Sequence, residues 1–124
     1  MSASQKKHTV CLVDDHPLIR DAMAQLIAQE EDLDVCCNAG NYQTALKVIE
    51  ANRPDVAVID ITMTGASGLE LIPEIRTRSP STRILVLSMH DEFMYAERCL
   101  EAGALGYVMK NAPPETVVAG IRSV

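Results

Sequence analysis

Basic residues are scarce in this chain: 11 Lys and Arg stand against 17 Asp and Glu in 124 residues, leaving a net charge of −6. A protein that holds nucleic acid through its phosphates needs a basic face, so DNA contact by these residues alone is not expected. Long hydrophobic runs are missing as well. The apolar stretches are of strand length and the opening residues up to Lys7 have no hydrophobic region behind their charges, so neither a membrane span nor a signal peptide is read and a soluble cytoplasmic protein is expected. The four cysteines, Cys11, Cys36, Cys37 and Cys99, show no C-x-x-C spacing and no histidine placed to complete a zinc site. Buried free thiols are expected; a Cys36–Cys37 redox pair is the alternative, opposed by the alternation of side chains along a strand. No G-x-G-x-x-G or G-x-x-x-x-G-K-[ST] follows the first apolar run, where acids stand instead, which disfavours a nucleotide- or flavin-binding module.

What is present is a chain that is 48% hydrophobic and long enough for one domain with a real core. Thr9–Val13 reads as a strand ending in Asp14-Asp15, and His16-Pro17 opens a helix whose stripe of Leu18, Ala22, Met23, Leu26 and Ile27 carries it to about Gln29. Leu33–Cys37 is a second strand. Ala45, Leu46, Val48 and Ile49 mark a second helix that Pro54 ends, and Val56–Ile59, four apolar residues in a row, predict a strand buried on both faces that delivers Asp60 at its end. A third helix spans about Gly68 to Arg78, with Pro73 expected in or near its first turn. Arg83–Ser88 is a second doubly buried strand. Glu92–Ala102 is a helix closed by Gly103, Ala104–Met109 a short strand before Lys110, and Pro113-Pro114 the start of a last helix still running at Val124, an ending that looks cut rather than capped.

Five strands alternating with five helices predict an α/β fold, a parallel sheet covered on both faces. In such sheets ligands bind outside the carboxyl ends of the strands. Those ends carry Asp14 and Asp15, then Asp60, Ser88 and Lys110. Three carboxylates brought together call for a compensating charge, which a hard divalent ion held through oxygens supplies, Mg²⁺ above all where phosphates are handled. A nucleophilic carboxylate with a metal, a lysine and a hydroxyl around it is the equipment of phosphoryl transfer. Each of these residues alone has a plainer use as a cap, a turn former or a solvated charge. Five of them at the strand ends make coincidence a poor account.

The pattern Val13-Asp14-Asp15-His16-Pro17, Asp60 followed eight residues on by Gly68, Ser88 after an apolar strand, and Gly103-Ala104 through Gly106-Tyr107-Val108-Met109-Lys110 resembles a response-regulator receiver domain over about residues 8 to 124. Asp14–Arg20 and Lys110–Glu115 are further similar to the subfamily that carries a LuxR-type helix-turn-helix output domain (NarL/FixJ-like). The resemblance implies a flavodoxin-like (βα)5 doubly wound parallel sheet of order 2-1-3-4-5. It implies a disordered tail at residues 1–7, a receiver at 8–124, and a DNA-binding domain outside this chain. It implies that Asp60 accepts a phosphoryl group from a sensor histidine kinase, and that Mg²⁺ is held by Asp15, Asp60 and the backbone carbonyl of Thr62, with Asp14 acting through a metal-bound water. Lys110 would pair with the phosphoryl oxygens, and Ser88 and Tyr107 would act as the switch. Such a domain is no conventional enzyme: it catalyses its own phosphotransfer and autodephosphorylation. A homodimer is compatible with it, and no membrane partner is implied.

Thr64 stands where the family usually has proline, and Asn111 where it often has a cis proline. Taken without the family, Tyr107 is an edge-strand aromatic and His16 a residue at the start of a helix. His90, two residues past Ser88, resembles a family position that governs how water reaches the acyl phosphate. Two alternatives compete. A phosphatase of the haloacid dehalogenase type needs a second Asp two residues beyond the nucleophile, where this chain has Thr62. A non-phosphorylated pseudo-receiver, acting only as an interaction module, is opposed by the complete set of acids, hydroxyl and lysine.

Overall fold

A computed structural model describes residues 7–61, 68–88, 93–110 and 112–124. Strands β1 (His8–Val13), β2 (Leu33–Ala39), β3 (Val56–Asp60), β4 (Arg83–Ser88) and β5 (Gly106–Met109) alternate with helices α1 (Pro17–Ala28), α2 (Tyr42–Asn52), α3 (Gly68–Arg78), α4 (Phe93–Ala102) and α5 (Pro114–Ser123). All strand pairs are parallel, in the order β2-β1-β3-β4-β5, so the expected flavodoxin-like topology is the observed one. Among the described residues no helix is long and apolar enough to cross a membrane.

The core divides into two apolar layers, one on each face of the sheet. One gathers Cys11, Val13, Ala57, Ile59, Ile84 and Val86 of the strands with Leu46, Ile49, Leu71, Ile72, Ile75 and Cys99 of α2, α3 and α4. The other gathers Val10, Leu12, Val58, Leu85 and Leu87 with Ile27, Val117, Val118 and Ile121 of α1 and α5. Because β3 has helices on both faces, each of its residues is buried, as its unbroken apolar run predicts.

Local signals explain most boundaries. Pro17 occupies the first helical position of α1, where its missing N–H costs nothing. Asn41 caps α2 by accepting the Thr44 N–H at 2.8 Å, and Arg53 ends it in the left-handed region at φ 45°. Gly103, at φ 127°, ends α4 and donates its N–H to the carbonyls of Cys99 and Leu100. Pro73 departs from expectation: it is the sixth residue of α3, beyond the first turn, so that helix forgoes one internal hydrogen bond.

The second strand holds a larger surprise. Val10 pairs with Val35 but Cys11 pairs with Cys37, so Cys36 is an extra residue in β2, a bulge. One inserted residue exchanges the faces of everything after it. Accordingly Val35 packs in the α1/α5 layer, whereas Cys37 and Ala39 pack in the α2–α4 layer. The bulge also defeats simple alternation at the cysteines, since the Cys36 and Cys37 sulfurs lie 3.6 Å apart. All four thiols are free as expected, but only Cys11 and Cys99 are buried; Cys36 and Cys37 are half-buried.

Candidate functional site

The carboxyl ends of β1, β3 and β4 and the residue after β5 meet at one edge of the sheet, where the chain leaves β1 toward one face and β3 toward the other. Asp60, the last residue of β3, is fully buried, and Asp14 just after β1 is 5% exposed. Carboxylates so far from water need partners close by. Lys110, immediately after β5, brings its Nζ to 2.7 Å from Asp60 Oδ2 and 3.2 Å from Asp14 Oδ2, with a side chain only 8% exposed. Burial pulls the pKa of this ammonium down, but the hydrogen bonds and charges of Asp60 and Asp14 outweigh it and hold the pKa above the ordinary lysine value.

Backbone hydrogen bonds lock these groups into place. Lys110 N–H donates to the Ser88 carbonyl at 2.7 Å, Ile61 N–H to the Leu87 carbonyl at 3.0 Å, and Asp14 N–H to the Ala39 carbonyl at 3.0 Å. Each extends a parallel ladder one step past its strand, so the site residues inherit the rigidity of the sheet. Ser88 is fully buried at the end of β4. Tyr107 lies on β5 in register with Val86, partly buried against the α2–α4 layer. The structure therefore brings Asp14, Asp15, Asp60 and Lys110 together, with Ser88 adjoining Lys110. Thr62, Thr64, His90 and Asn111 lie outside the described residues.

Two residues matter more than their sequence signals suggested. His16 is the N-cap of α1, in keeping with a residue at the start of a helix, but its ring also enters the acidic cluster. Its Nδ1 lies 3.0 Å from Asp15 Oδ1, 3.1 Å from Asp14 Oδ1 and 4.0 Å from Asp60 Oδ2. The Asp14 carboxylate also accepts the His16 backbone N–H at 2.9 Å, a tight turn that folds the ring back over the acids. Arg20 donates to the Asp14 carbonyl at 2.7 Å from the first turn of α1. The available signal was its position four residues after His16, on the same face of the helix.

One carboxylate oxygen each of Asp14, Asp15 and Asp60 and a ring nitrogen of His16 all lie within 4.8 Å of one another. Ligands of one octahedral Mg²⁺ at about 2.1 Å from the metal stand at most about 4.2 Å apart, so small side-chain adjustments suffice. Hard carboxylate oxygens are the donors that ion selects, and the residues present fit it.

Residues 10–122 match the response regulator receiver domain as a family. The chain belongs to that family. It is 34% identical to the oxygen regulatory protein NreC of Staphylococcus epidermidis over 93% of this chain and 53% of that protein. The receiver thus spans about half the length of that curated relative. The signal receiver domain of the response regulator NarL from Mycobacterium tuberculosis superposes with a TM-score of 0.89 at 30% identity, covering 95% of each chain. A response regulator from Burkholderia pseudomallei, solved with a phosphorylated aspartic acid, a calcium ion and citrate, superposes with a TM-score of 0.83 at 25% identity, covering 93% of this chain and 66% of that one.

Proposed function

We propose that this receiver domain accepts a phosphoryl group on Asp60 from a sensor histidine kinase and thereby controls a DNA-binding output domain in a cytoplasmic transcription regulator. The observation that carries this is the pairing of a fully buried carboxylate at the end of β3 with Lys110 Nζ at 2.7 Å, beside the acidic pair Asp14-Asp15 after β1. A buried carboxylate aimed at a cation is poised as a nucleophile toward phosphorus, and the cation can follow the charge onto the incoming oxygens. In the transfer, an Asp60 oxygen bonds to phosphorus, the bond from phosphorus to the kinase histidine nitrogen breaks, and that imidazole leaves with the electron pair. The relative solved with a phosphorylated aspartic acid supports the same chemistry here.

Bound Mg²⁺ supplies positive charge against the phosphoryl oxygens. Asp15 and Asp60 would hold it together with the Thr62 carbonyl, while Asp14 would act through a water. Lys110 then exchanges its bond with Asp60 for one with the phosphoryl group. Ser88 turns its hydroxyl to the same group and Tyr107 moves in behind it, altering the α4–β5 surface; these new contacts set how far the switch moves. His90 tunes how quickly water removes the phosphate.

Incubation with a small phosphodonor and Mg²⁺, followed by intact mass, tests the assignment. One phosphate adduct is expected on the native chain and none on Asp60→Asn or after removal of Mg²⁺ by chelation. An adduct persisting in Asp60→Asn, or none on the native chain, refutes it. For His90, substitution is expected to change the half-life of the adduct; an unchanged half-life removes that role.

A further inference from the structure

The bulge in β2 assembles a cluster of thiols from β1 and β2. Cys36 and Cys37 place their sulfurs 3.6 Å apart, and Cys11 stands directly opposite Cys37 in the register with β1. Cys37 is the member flanked by both others. It is half-buried and so within reach of a small molecule, whereas Cys11 is fully buried.

We infer that Cys37 is a modification site, a nucleophile toward low-molecular-weight disulfides that forms a reversible mixed disulfide with them. The flanking thiols explain the selectivity. Hydrogen bonding from Cys11, helped by Cys36 and opposed by burial, lowers the Cys37 pKa to about 7. Desolvation and its bond to Cys37 push Cys36 up to about 12, and the bond to Cys37 together with burial pushes Cys11 far above the thiol range. Of the three thiols Cys37 is therefore the one pushed toward the thiolate, the form that attacks. In the reaction the Cys37 thiolate bonds to one sulfur of the disulfide, the S–S bond breaks, and the other sulfur departs as a thiolate that takes a proton from water. No electrons are gained or lost overall, because the disulfide is the oxidant.

The adduct persists rather than collapsing to a Cys36–Cys37 disulfide. Adjacent Cα atoms are held about 3.8 Å apart by the trans peptide, below the usual disulfide separation of about 4.4 to 6.8 Å. Cys11 is an equally poor resolving thiol, being buried and protonated.

The experiment is exposure of the whole, native chain to oxidised glutathione at neutral pH, with intact mass and peptide mapping against time. One adduct, on Cys37, is expected, formed at least about tenfold faster than any on Cys36 after allowing for the lower intrinsic nucleophilicity of a more acidic thiol. It is lost in Cys37→Ser, kept in Cys99→Ser, and removed by excess reduced thiol. Mapping of the wild-type protein decides the site even if Cys37→Ser folds poorly. Modification first at Cys36 or Cys99, reaction only in urea, or a chain two hydrogens lighter with no adduct each overturns the assignment.

Discussion

Replacing Lys110 by methionine isolates the interaction at the centre of the site. The ammonium is 2.7 Å from Asp60 and 3.2 Å from Asp14, and all three side chains are less than a tenth exposed. Removing one partner from such a buried set leaves charge without compensation and typically costs about 3 to 5 kcal/mol. The His16 ring stays 3.1 Å from Asp14 as a hydrogen-bond partner, so the lower end, about 3 kcal/mol without metal, is expected. Urea unfolding in the presence of a chelator measures it, with the slope checked for constancy so that the midpoint reports stability. A cycle with Asp60→Asn separates the pair from the rest of the substitution, and a coupling of at least about 1.5 kcal/mol is expected. A loss below about 1 kcal/mol, with no coupling to Asp60, is the behaviour of an exposed ion pair and refutes a buried one.

Three further outcomes follow from the same structure. The Lys110 pKa is raised in the folded state, so its contribution is complete below the ordinary lysine value of about 10.4 and fades as pH rises through the folded value. The stability gap between wild type and Lys110→Met should therefore hold from neutral pH to about 10 and narrow above it; a gap that closes between pH 7 and 9 contradicts this. Mg²⁺ should stabilise the wild-type chain by mass action, by about 2.7 kcal/mol at a hundredfold excess over its dissociation constant, read as a higher urea midpoint, and Asp15→Asn should remove most of that gain. Far from the site, buried Thr82 donates to the Pro54 carbonyl at 2.7 Å and lies 2.7 Å from Ser79 Oγ, so Thr82→Val should cost about 1 to 3 kcal/mol with phosphate acceptance unchanged.

Much of the fold was legible in local chemistry. The runs Val56–Ile59 and Ile84–Leu87 could only be strands with cover on both faces, and Pro17 and Gly103 marked helix boundaries by what their backbones can or cannot do. The β2 bulge was not legible, because an inserted residue reveals itself only through the partner strand against which register is counted. Alternation therefore misjudged Cys36 and Cys37. Pro73 was also misplaced, since the helix it interrupts is held by Leu71, Ile72 and Ile75 in the core rather than by its own propensity.

By itself the sequence determined that acids, a hydroxyl and a lysine stand at strand ends, because period and punctuation are local properties of the chain. Parallel pairing in the order β2-β1-β3-β4-β5 then makes those ends neighbours, although Asp60 and Lys110 are 50 residues apart. Only the tertiary structure decided which atoms meet. It set Lys110 against both Asp60 and Asp14, folded the His16 ring into the acids, and put Cys37 opposite Cys11, since each of these placements depends on register and helix position that no short stretch of residues encodes.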